Sequence, residues 1–185
     1  MTIRKATWIA VLLAAAATVM AGEAASGESM PQIRLMSSAG QGMIVPGSRV
    51  TLVIDIQARP TLHIYAPGAM RYLPIEWQMA DSKSWTSFPV AYPASRMLSV
   101  PAINESVPVY DGHFRLMRNI GIGQETELAS VLNPDRSFTV EGSLRYQACD
   151  DKECFLPKTL RLRWRFKAGK LEAPKAPQDP PQKPN

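Results

Sequence analysis

Arg49-Val50-Thr51-Leu52-Val53-Ile54-Asp55-Ile56-Gln57 alternates with a period of two: Val50, Leu52, Ile54 and Ile56 fall on one side, Thr51, Val53 and Asp55 on the other. This is the pattern of a strand with one face in a core and the other towards water. Pro46-Gly47 supplies the turn before it. Its counterpart lies near the far end of the chain, where Leu160, Leu162, Trp164 and Phe166 alternate with Arg161, Arg163 and Arg165. Between them, 61–66 and 73–79 read as strands parted by Pro67-Gly68, 113–122 follows the Asp111-Gly112 turn signal with imperfect alternation, and 137–146 is a further strand. Residues 81–108, with four prolines, read as irregular chain with one short strand at 85–88. A helical turn is expected at 125–132, stopped by Asn133-Pro134-Asp135. Seven or eight short strands without strand–helix alternation predict an all-β antiparallel sandwich, since two half-apolar sheets must bury their inner faces on each other.

The 185 residues suffice for one domain with tails. With 45% hydrophobic and 20% charged residues the chain can pack a core, and 16 Pro with 11 Gly argue against a helical bundle. Arg4 and Lys5 precede an uncharged run over 8–19 that leads into Val19-Met20-Ala21. That is the layout of a secretory signal peptide over 1–21, too short to cross a bilayer as a retained anchor. Residues 22–32 read as a flexible lead-in, 33–168 as the folded domain and 169–185 as a Pro-rich disordered tail. An exported domain, released from its signal without stable membrane insertion, is expected. The arginine stripe at 161, 163 and 165 reads as a solvated strand face, and no nucleic-acid partner is expected.

Cys149 and Cys154 are the two cysteines of the chain, and both lie in the exported part. In an oxidising compartment such a near pair tends to form a disulfide. Metal binding is not expected, because a structural zinc site takes four ligands and the two histidines, His63 and His113, are distant in sequence. No cofactor motif is present either. As a staple the pair is poor: closing a loop of roughly six residues removes chain entropy worth about 2 kcal/mol. Spacing alone leaves a structural and a redox role open. Asp150, Asp151 and Glu153 disfavour a thiolate while Lys152 favours one, which points to thiols of ordinary or raised pKa.

The segment Tyr146-Gln147-Ala148-Cys149-Asp150-Asp151-Lys152-Glu153-Cys154-Phe155-Leu156-Pro157 resembles the active-site segment of the N-terminal periplasmic domain of DsbD, a membrane thiol:disulfide interchange protein. Leu62-His63-Ile64-Tyr65-Ala66-Pro67-Gly68 and Val107-Pro108-Val109-Tyr110-Asp111-Gly112 resemble the same family. The resemblance implies an immunoglobulin-like β-sandwich. It also implies electron relay by thiol-disulfide exchange to periplasmic thioredoxin-fold proteins, among them disulfide isomerases and cytochrome c maturation factors. On the family pattern Cys154 attacks the partner disulfide and Cys149 resolves the mixed disulfide. His63, Tyr65, Glu105, Tyr110 and Gln147 are implied to line the site.

Two departures from the family stand out. Its members continue into a membrane conduit and a thioredoxin domain, so a separate membrane electron donor is expected here. They also shield the cysteines with an aromatic cap loop, whereas 102–110 offers the aliphatic Ile103 and Val107. Two other readings compete with the relay. One is a non-catalytic, partner-binding sandwich with a structural disulfide. The other is copper handling, suggested by nine Met residues, although those are dispersed and suit core filling.

Overall fold

The computed structural model describes residues 26–29, 32–40, 42–100 and 104–170. The expected signal peptide, Ile103 and the tail beyond 170 lie outside the described residues.

The alternating segments become long strands that carry the core. Among the described residues the strands are, in order, β1 (Ser26–Ser29), β2 (Ile33–Ala39), β3 (Met43–Ile44), β4 (Arg49–Ala58), β5 (His63–Tyr65), β6 (Glu76–Met79), β7 (Trp85–Ala91), β8 (Arg96–Val100), β9 (Glu105–Asp111), β10 (His113–Ile122), β11 (Ser137–Tyr146), β12 (Ala148–Cys149) and β13 (Lys158–Ala168). A single helical turn, α1 (Glu125–Leu128), sits between β10 and β11. Among the described residues three sheets form, in the orders β1-β2-β4-β10-β7, β3-β13-β11-β6 and β12-β5-β9-β8. All pairings are antiparallel except that of β3 with β13.

The first two sheets stack as the expected immunoglobulin-like antiparallel sandwich. Leu52, Ile54 and Ile56 of β4 and Leu116 and Ile120 of β10 meet Val140 and Leu144 of β11 and Leu162 and Trp164 of β13 in one continuous core. A bond between sheets locks the stack: the Trp164 indole Nε1–H donates to the Ser38 carbonyl at 3.1 Å. Trp164 also stacks on Trp77 of β6, with ring centroids 5.5 Å apart. The arginines of β13 face outward, where Arg163 pairs with Glu141 directly across β11 and Arg165 pairs with Asp135.

Differences from the sequence reading have local causes. Residues 26–29, read as part of a flexible lead-in, pair as edge strand β1 along β2. Residues 81–108, read as largely irregular, hold the whole of β8, most of β9 and a β7 that runs on through Pro89 to Ala91. Pro89 is tolerated because β7 is the outer strand of its sheet, where a missing N–H breaks no ladder. The imperfect alternation of β10 has its origin in Arg118. It occupies an inward position of the strand, lies over the Trp77 ring at 5.4 Å, and marks a register shift against β7.

Leu162 and Arg161 are neighbours on opposite faces of β13, buried and exposed respectively. Leu162→Ala is expected to cost about 2 to 5 kcal/mol of unfolding free energy. Arg161→Ala should stay within about 0.5 kcal/mol. Urea denaturation followed by tryptophan fluorescence distinguishes the two.

Candidate functional site

The small sheet β12-β5-β9-β8 has two faces with different duties. In its register Cys149 faces His63, His63 faces Asp111, and Tyr65 faces Val109. Arg96, Leu98 and Val100 of β8 stand across from Val109, Val107 and Glu105 of β9. Because side chains alternate, all of these share one face. The opposite face carries Ala148, Ile64 and Tyr110, and it joins the main core.

On the first face a second, separate apolar cluster surrounds Cys149. It consists of Tyr65, Ala69, Val107 and Val109, with Tyr72, Leu98 and Val100 packed against them. Tyr72 stacks on Tyr65 with ring centroids 4.1 Å apart, and His63 meets the Tyr65 ring edge-on at 5.4 Å. Burial pushes the Tyr65 phenol above its usual range.

Cys149 and Cys154 are joined in a disulfide. Cys149 is 1% exposed, whereas Cys154 is open to solvent. The loop between them is shaped by its own polar groups. The Asp150 N–H donates to the Glu153 carbonyl, and the Phe155 N–H donates to the Ala148 carbonyl, both at 2.9 Å. The Asp150 carboxylate accepts the N–H groups of Lys152 and Glu153 at 2.7 and 2.8 Å, an Asx-type turn. These bonds, that from Glu153 foremost, hold the Asp150 carboxyl below its usual range. The Gln147 amide donates to the Phe155 carbonyl at 3.0 Å, tying the loop's two ends together.

The residues singled out from sequence therefore separate. His63 and Tyr65 sit beside Cys149 on its own face, and Val107 packs in the same apolar cluster as Cys149. Glu105 stands at the margin of that face, paired with exposed Arg71 at 2.8 Å. Gln147 shapes the loop. Tyr110, read as site-lining, is placed elsewhere. It points away from the cysteines into the main core, stacks on Phe114 at 4.7 Å and donates its hydroxyl to the Pro93 carbonyl at 3.0 Å. Its neighbours in sequence, Val109 and Asp111, take the site face instead. Sequence reasoning missed Tyr72, Ala69, Leu98 and Val100. For the last two a signal existed: the spacing Leu98, Val100 between Pro93 and Pro101 is a short period-two run.

Among the described residues no group of three or more His, Cys, Asp or Glu side chains is placed to hold a metal ion. Among them also, no helix is long and apolar enough to cross a membrane.

Among solved structures, the chain matches the N-terminal periplasmic domain of ScsB from Proteus mirabilis, with a TM-score of 0.52 at 14% identity. The likeness is one of fold. It covers 75% of this chain and 49% of that one, so the match spans about half the length of the ScsB structure. The reduced N-terminal domain of DsbD from Neisseria meningitidis also matches, with a TM-score of 0.41 at 9% identity over 64% of this chain and 82% of that one. No family model and no curated protein sequence matches the chain.

Burial, and secondarily the charge of Arg96, hold His63 below its ordinary pKa near 6.5. The unfolded chain therefore binds a proton that the folded one resists, and stability should fall as pH drops below about 6.5. The Asp150 contribution is lost in a separate window, below its ordinary value of 3.8. Urea midpoints of the oxidised protein at pH 7 and pH 5 should differ more for the native sequence than for His63→Phe.

Proposed function

We propose that this domain is a periplasmic thiol-disulfide exchange module that passes two electrons through Cys149 and Cys154 to thioredoxin-fold partners. The observation that carries the reading is the asymmetry of the pair: one sulfur-bearing residue at the surface and one buried at the edge of the small sheet. A bridge meant to restrain the chain gains little from closing a loop that its own hydrogen bonds already close. A bridge meant to exchange needs one accessible sulfur and one held ready to resolve.

In the reduced form the Cys154 thiolate attacks one sulfur of the partner's disulfide, and the partner's other cysteine leaves as a thiolate. Cys149, as thiolate, then attacks the Cys154 sulfur. The mixed bond breaks, the partner departs as a dithiol, and the Cys149–Cys154 disulfide is restored. A second thioredoxin-fold protein or a membrane donor returns two electrons to begin again. The signal-like segment at 1–21, the disulfide and the fold shared with a periplasmic domain support a periplasmic location.

Cys149→Ala retains the attacking sulfur and lacks the resolving one, so it should accumulate a mixed disulfide with an oxidised thioredoxin-fold protein. Cys154→Ala should not. Non-reducing electrophoresis with mass spectrometry reads both. The native bridge should equilibrate with glutathione at a potential above about −300 mV. A bridge that stays closed across that range would leave the non-catalytic, partner-binding sandwich as the better account.

A further inference from the structure

The exchange cycle leaves one proton unaccounted for. Cys149 must be a thiolate to resolve the mixed disulfide, yet it is 1% exposed within Tyr65, Ala69, Val107 and Val109. Burial among such groups favours the neutral thiol and slows its attack. A base must stand inside the cluster's margin, because solvent hydroxide has little access.

His63 occupies that place. It is the cross-strand partner of Cys149 in the β12–β5 ladder, and antiparallel partners project from the same face with Cβ atoms about 4.5 to 5.5 Å apart. The residue is 6% exposed, and its Nε2 has no hydrogen-bond partner. A buried ring nitrogen left unpaired costs free energy, and in this resting, oxidised form the neighbouring sulfur carries no proton to offer it.

We propose that His63 is the proton acceptor for Cys149: its neutral imidazole takes the thiol proton as Cys149 attacks the Cys154 sulfur of the mixed disulfide. This rests on the exchange reading above. The sulfur–sulfur bond to the partner breaks, the partner's thiolate leaves, and the proton held on His63 passes to that thiolate or to water. Burial, and after it Arg96 of β8, ion-paired with Asp111, keep the ring neutral at rest; Asp151 and Asp150 of the loop and Asp111 of β9 favour the imidazolium once formed. Tyr65, on the same strand, packs against the ring edge and stays protonated.

The test separates the two sulfurs in time. The full chain is reduced and then mixed with dithiobis(nitrobenzoate): attack by Cys154 releases a first nitrothiobenzoate, and resolution by Cys149 releases a second. In His63→Gln and His63→Phe the second release should slow about a hundredfold at pH 7 while the first stays within about twofold of the parent. The second rate in the parent should vary little between pH 7 and 8, whereas in the variants it should climb about tenfold per pH unit, following thiolate formed without a base. The Phe variant keeps ring volume in an apolar pocket, so its result stands if the Gln variant fails to fold. A second release at the parent's rate overturns the role of His63 alone, and so does equal slowing of both phases. A parent protein that gives no first release overturns the exchange reading and this one with it.

Discussion

Two residues of β12, Ala148 and Cys149, hang on β5 by a short antiparallel ladder, and the site depends on that attachment. The ladder fixes which way each side chain turns. Ala148 goes inward to the main core, and Cys149 goes to the outer cluster. A slip by one residue would exchange them, sending the sulfur into the sandwich and out of reach of any partner. The β5–β9 pairing carries the same constraint onward, so His63, Asp111 and Val109 share the cysteine's face from separate parts of the chain.

The sandwich beneath supplies stiffness rather than chemistry. Its two sheets are tied by the Trp164–Ser38 bond and by apolar layers from four long strands. The small sheet leans on that body through Ile64, Tyr110 and Ala148, which belong to the main core. The cysteine-bearing face of that sheet thus packs as a cluster apart from the main core.

The long strands were legible because their period is sustained: β4 alternates over its ten residues and β13 from Thr159 to Ala168. The cysteine loop was legible from its residue order. The β8–β9 hairpin was not, because Pro93, Pro101 and Pro108 punctuate it and its period-two runs are short: Leu98 and Val100, both partly buried, on β8, and the buried Val107 and Val109 on β9. Tyr110 was misplaced for a related reason. Proximity in sequence to site residues does not tell which face of a strand a side chain takes until the register is known, and that register is set by β5.

The cysteine loop holds its outline through backbone and Asp150 hydrogen bonds that do not involve sulfur. Cutting the sulfur–sulfur link would remove none of these bonds, so the turn carries a second fastening that is independent of oxidation state.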